Sequence, residues 1–236
     1  MKEAHALVIG ASSEIGSAIA VELASLGMSM SLWGRDRERL RRAAALCRQT
    51  GRHCSVDMVD VADCAAVGHA IQAVADRGPL TVAVYAAGMF DWAPAQTADP
   101  ATWQRVIDVN LTAAATVTSH VLPMLIAAAP SSLVYVGSGA AHRAFANNAA
   151  YVASKHGLAG LAEAVFLDVR DLDVKVSLIS PGMVAAGASL NTPAGKDRPH
   201  ELLAPADVAE AVRFVVTFPV RGCPTQIRLH PQRTPN

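Results

Sequence analysis

The chain has 236 residues, 52% of them hydrophobic and 17% charged. This excludes a disordered chain and suits one α/β domain large enough to need neither metal nor disulfide. Twenty basic side chains balance twenty acidic ones, and a net charge of +0 gives no field for nucleic acid or an anionic membrane. Cys47, Cys54, Cys64 and Cys223 form no C-x-x-C pair, and the histidines show no ligand spacing, so no metal site is expected. With no signal-peptide pattern at residues 1–9, the reading is a cytoplasmic protein with reduced thiols.

In chain order, residues 6–9 are apolar at consecutive positions, as in a strand buried on both faces. They run into Gly10-Ala-Ser-Ser-Glu-Ile-Gly16 and a predicted helix over 15–26. A tight turn without bulky side chains lets backbone N–H groups and a helix N-terminus face a pyrophosphate. Gly10, Ser12, Ser13, Ile15 and Gly16 are therefore candidate phosphate contacts. A strand over 28–33 ends at Gly34-Arg35, where an acidic residue would hold ribose hydroxyls but Gly-Arg leaves room for a 2′-phosphate. NADP(H) is favoured over NAD(H), with Arg35 as anchor. A solvated charge run would also account for Arg35, Arg37, Arg39, Arg41 and Arg42.

Helices over 37–50, 62–76, 102–128, 149–171 and 205–217 then alternate with strands over 53–56, 81–86, 132–136, 175–179 and 225–229. The series predicts a single α/β domain: a Rossmann-like, doubly wound parallel sheet of about seven strands with helices on both faces. The apolar run 111–129 carries four hydroxyl side chains, His120 and Pro123, and reads as a buried helix, not a membrane span. The irregular stretch 183–204 follows the sixth strand, where ligands bind in open parallel sheets, and reads as a substrate lid or a plain surface loop.

On these residues the chain resembles the short-chain dehydrogenase/reductase family, in its small single-domain branch. The likeness rests on motifs in order: the 10–16 loop, Asp60-Val61, Ala86-Ala87-Gly88, Asn110 in Asp-Val-Asn, Ser138, Tyr151-Val-Ala-Ser-Lys155 and Pro181-Gly182. It implies an NAD(P)-dependent oxidoreductase acting on CH–OH or C=O groups, with Tyr151, Lys155, Ser138 and Asn110 as catalytic set. Reducing a carbonyl needs a proton donor at oxygen, and a free tyrosine, with a pKa of about 10, exchanges protons poorly at neutral pH. Lys155, four residues on, shares a helix face with Tyr151, and a cation there pulls the phenol's pKa down. The resemblance further implies that Lys155 bonds the nicotinamide ribose, that Ser138 stabilises charge on the substrate oxygen, and that Asn110 bends its helix and anchors a water. It assigns Asp60 and Val61 to adenine, Ala87 and Gly88 to close passage of the cofactor, and Pro181, Gly182 and Val184 to the nicotinamide amide.

Four positions depart from the family pattern: Glu14 for a glycine, Ile9 for a threonine, Tyr85-Ala86 for two asparagines, and Ala186 for a threonine. All lie in the cofactor apparatus, which leads to an expectation of weakened cofactor affinity, with Glu14 foremost. A non-catalytic cofactor-binding regulator is the alternative reading. A sugar epimerase would need a further C-terminal domain, and too few residues follow Pro181. Ala140, Phe145, Ala185 and Leu190 are candidate pocket walls for a small carbonyl or alcohol, and His142 and Arg143 could meet an anionic group. The two Ala-rich helices, 102–128 and 149–171, point to a homodimer or homotetramer. Residues 230–236 read as an exposed tail.

Overall fold

The computed structural model describes residues 4–233. Residues 1–3, and the end of the predicted tail at 234–236, lie outside the described residues. Seven strands form one sheet: β1 (His5–Ile9), β2 (Ser29–Gly34), β3 (Cys54–Met58), β4 (Leu80–Tyr85), β5 (Ser131–Val136), β6 (Val174–Pro181) and β7 (Gln226–Leu229). Their order is β3-β2-β1-β4-β5-β6-β7, every pair parallel. The connections leave in opposite directions on either side of β1 and β4, which opens a crevice at the carboxyl ends of those strands.

Strand periodicity divides the apolar side chains between two cores. From β1, Ala6 and Val8 pack with α1 (Glu14–Ser25), α2 (Arg37–Arg48) and α8 (Pro205–Thr217). Leu7 and Ile9 point the other way, onto α3 (Cys64–Asp76), α5 (Ala113–Ala127) and α6 (Ala149–Val169). This is the predicted doubly wound sheet, and the run at 6–9 is uniformly apolar because both its faces are covered. Helix starts follow their capping residues: Ser13, Asp36, Asp63 and Asp99 each accept a first-turn N–H.

The predicted helix over 102–128 is two helices, α4 (Pro100–Ile107) and α5, joined by a π-helical turn at Asp108–Thr112. Helical periodicity has no sign of this turn, but it agrees with the bend at Asn110 that the family resemblance implies. Asn110 sits in it, fully buried, with its side chain drawn across to Met89. The predicted helix over 149–171 ends at Val169 and relaxes into a tighter turn at Arg170–Leu172. In the described part of the tail, His230, Gln232 and Arg233 are exposed, as expected, and Pro231 is half-buried; just before it, Leu229 O at the end of β7 accepts from Gly182 N–H at 2.8 Å. A Cβ on Gly182 would also lie 3.1 Å from Pro231 Cδ, so the chain crosses closely there.

Two buried polar groups brace the frame. Helix α8 has no basic residue in its last turn, and the β6 side chain Lys175 donates instead to Val215 O, Val216 O and Phe218 O. At the opposite end of the sheet, Arg77 forks onto Asp57 at 2.6 and 2.7 Å and donates to Ser31 Oγ, which also bonds His5 Nε2. Asp57→Ala would strand a guanidinium only about a quarter exposed. Urea unfolding should show a loss of about 2 kcal/mol, below the cost of breaking a fully buried pair because water screens part of it.

Candidate active site

The crevice beside β1 holds a groove of about 290 Å³. Gly10, Ser12, Ser13, Arg35, Asp60, Val61, Ala87 and Gly88, all expected from sequence, line it. Gly10 has φ +90°, and a Cβ there would sit 2.6 Å from Ala87 N. A Cβ on Gly16 would lie 2.3 Å from Gly10 O, so this glycine lets α1 start directly against the loop. Gly10 N–H and Ala11 N–H both donate to Trp33 O, which ties the loop to β2. Ser13 Oγ–H donates to Gly10 O and the oxygen accepts from Gly16 N–H, while the Glu14 and Ile15 N–H groups have no intrahelical acceptor. Those free donors at a positive helix end fit a pyrophosphate.

At the groove's far side, Arg35 Nη1 lies 4.0 Å from Asp60 Oδ2, and Asp60 Oδ1 accepts from Ala62 N–H. The candidate phosphate anchor and the candidate adenine contact thus occupy one corner. Gly34, read from the sequence as leaving room for a 2′-phosphate, Asp36 and Arg39 complete that corner; Asp36 and Arg39 were not among the sequence assignments. Arg39 stands in the first turn of α2 and ion-pairs with its N-cap Asp36 at 3.5 Å. Glu14 is exposed and lies outside the groove lining, so its carboxylate does not obstruct the loop. Ile15, Pro181, Gly182 and Val184 do not line the groove. Val184 is buried in the core and bridges to Leu203. That bridge pins both ends of the 183–204 excursion, which contains α7 (Pro193–Asp197) and two short helical turns.

The four catalytic candidates converge at the carboxyl ends of β4 and β5. Asn110 Oδ1 accepts from Met89 N–H at 2.7 Å, and its amide donates to Met89 O and to Ser154 Oγ. Ser154 Oγ–H in turn donates to Tyr151 O. A Cβ on Gly88 would lie 3.6 Å from Asn110 Oδ1 and 3.7 Å from Lys155 Nζ, so both groups flank this glycine. The Asn110 side chain is thus fully committed to protein partners.

The Tyr151 phenol stands beside the Ser138 side chain, and Ser138 Oγ accepts from Ala140 N–H. Lys155 is 4% exposed; its Nζ donates to Val136 O at 3.0 Å and stands 5.8 Å from the Tyr151 ring centre. Here the electrostatics differ from the expectation for Tyr151. Burial raises its pKa, and the neighbouring Ser138 hydroxyl only partly opposes this. Desolvation also brings Lys155 down to about 8, because an ammonium held among apolar groups is the disfavoured form. His142 Nε2 bonds Ser180 Oγ at 2.9 Å, while Arg228 donates to His142 Nδ1 at 3.1 Å. Burial and the facing Arg228 cation lower the pKa of His142. One contact had no sequence signal: the Phe90 ring meets the Tyr151 ring edge-on at 5.0 Å.

The family model for short chain dehydrogenases matches residues 4–197. The chain belongs to the short-chain dehydrogenase family. It is similar to cis-4-hydroxycyclohexanecarboxylate dehydrogenase of Sinomonas cyclohexanicum, 31% identical over 224 residues, covering 91% of this chain and 90% of that one. A metagenomic short-chain oxidoreductase solved in complex with NADP superposes with TM-score 0.85 and 29% identity, covering 98% of both chains. The alcohol dehydrogenase of the archaeon Thermococcus sibiricus, complexed with 5-hydroxy-NADP, gives TM-score 0.89 and 26% identity over 98% of this chain and 99% of that one. This short-chain dehydrogenase is thus an NAD(P)-dependent oxidoreductase with the expected Rossmann-like sheet, acting on small molecules.

Proposed function

We propose that this short-chain dehydrogenase is an NADP(H)-dependent carbonyl reductase, running in reverse as a secondary-alcohol dehydrogenase, with Tyr151 as proton donor. The observation that carries this reading is the half-buried Tyr151 phenol, set beside the Ser138 side chain and one helical turn from a buried Lys155. A nicotinamide dinucleotide held in the groove would supply the hydride to the carbonyl carbon. Ser138 Oγ–H and the Tyr151 hydroxyl donate to the carbonyl oxygen, and the Tyr151 proton passes to it as negative charge builds. A phenol whose pKa burial has raised is fully protonated at neutral pH, which suits a donor in the reducing direction. Lys155 orients the site through Val136 O and holds the ribose. Asn110 positions Met89 against α6.

Preference for NADP(H) is supported by Arg35 and Arg39 at the groove's corner and by the NADP and 5-hydroxy-NADP held by the two related structures. A secondary alcohol is supported by the relative named for a ring-borne hydroxyl. Four free thiols suit the cytoplasm, and exposed Ile126 on α5 and Leu167 on α6 suit a homodimer or homotetramer through those helices. The 183–204 excursion serves as the substrate lid.

The test is NADPH and NADH oxidation, read by nicotinamide absorbance, with a panel of ketones and aldehydes. Turnover favouring NADPH is expected, and Arg35→Ser should reduce kcat/KM for NADPH about tenfold or more while leaving NADH nearly unchanged. Turnover with no carbonyl would overturn the reading; an unchanged NADPH preference in Arg35→Ser would overturn the cofactor assignment.

A further inference from the structure

The segment that leaves β4 carries two large aromatic side chains in the open. Phe90 is 43% exposed and Trp92 65% exposed, with ring centres 6.3 Å apart. A buried ring needs no explanation in a core, but exposed neighbouring aromatics on a loop do. Phe90 is also fixed in place. The residue before it, Met89, is gripped through both backbone polar groups by the Asn110 side chain. Beyond Trp92, Ala93 N–H donates to Asn147 O at 2.9 Å, tying the segment to the chain that precedes α6. One face of Phe90's surroundings is the Tyr151 ring, 5.0 Å away at an interplanar angle of 76°. The rest of the Phe90 ring is open to solvent beside Tyr151.

We propose that Phe90, with Trp92 beside it, is the specificity-determining wall of the substrate site, and that the substrate bears an aromatic ring on or next to its carbonyl. The inference rests on the carbonyl-reductase reading above. Aromatic rings favour edge-on or offset partners at such separations, and a pre-fixed ring orders a flat substrate at little entropic cost. Asn110 is a positioning residue in this scheme: it holds Met89, and thereby Phe90, at the distance the Tyr151 ring requires.

The experiment compares acetophenone with 2-octanone, which have equal carbon number, in wild type, Phe90→Ala and Phe90→Tyr. Wild type should prefer acetophenone. Phe90→Ala should lower the acetophenone-to-octanone ratio of kcat/KM about tenfold, chiefly through KM, and Phe90→Tyr should restore it. Equal losses for both ketones, or an unchanged ratio, would overturn the proposal while leaving the reductase reading intact. If wild type reduces neither ketone, calorimetric titration with acetophenone decides the proposal separately. Binding weakened about tenfold in Phe90→Ala supports the wall; no binding, or equal binding, overturns it. Because Phe90 is exposed, thermal unfolding of Phe90→Ala should match wild type.

Discussion

Tyr151→Phe is expected to lower kcat for ketone reduction by about 10²–10⁴-fold while leaving NADPH affinity within about twofold, the range set by losing one positioned proton donor. The substitution keeps the ring that packs on Phe90 and removes only the hydroxyl beside Ser138. Fluorescence titration with NADPH and steady-state turnover on the same preparation separate the two effects. Ser138→Ala should cost less, since Ser138 stabilises the oxygen without supplying the proton. A Tyr151→Phe protein turning over within a few fold of wild type would remove Tyr151 from the chemistry. Wild-type reduction should fall as pH rises into the range where the phenol ionises, above the ordinary tyrosine value because burial has raised it.

Lys155→Met should abolish turnover and at the same time stabilise the fold at neutral pH. Lys155 is brought from 10.5 down to about 8, a difference of about 3 kcal/mol against keeping the charged side chain buried. Methionine fills a similar volume without that penalty, but it orphans Val136 O at a cost of about 1 kcal/mol. A net gain of about 2 kcal/mol at pH 7 is expected. The pH dependence has a definite sign. Below pH 8 both folded and unfolded chains hold the proton, and the penalty is complete. Between about 8 and 10.5 the unfolded chain binds more protons than the folded one, so wild-type stability rises with pH and the gap to Lys155→Met closes. Urea unfolding of both proteins at pH 7 and pH 9.5 measures this. A Lys155→Met protein less stable than wild type at pH 7 would show that the ammonium is stabilised by its setting.

Much of this was legible in one dimension because its physics is local. Strand and helix alternation, the capping residues ahead of α1 to α4, and a loop that tolerates only small residues all depend on neighbours in sequence. So does the separation of Tyr151 and Lys155, since four residues on a helix share a face in any fold. The single parallel sheet followed from that alternation, and Gly10 and Arg35 from the residues that follow its first two strands; Asp60 and Gly88 came with the family resemblance. The family resemblance supplied the roles.

The tertiary structure decided what depends on partners distant in the chain. The π-helical turn at Asp108–Thr112 holds Asn110, whose side chain bonds Met89, 21 residues away; the resemblance implied a bend at Asn110, but the helical periodicity alone has no sign of it. The Tyr151 pKa runs against the sequence expectation because proximity to Lys155 is a matter of spacing, whereas desolvation is a matter of everything packed around both. Glu14 faces solvent, Val184 faces the core, and Phe90 faces Tyr151 for the same reason: side-chain direction is set by packing, which no spacing rule contains. Residue types and their order therefore determine which chemistry this chain carries. Burial and long-range hydrogen bonds determine the ionisation state in which the chain holds it and which surface it turns toward a substrate.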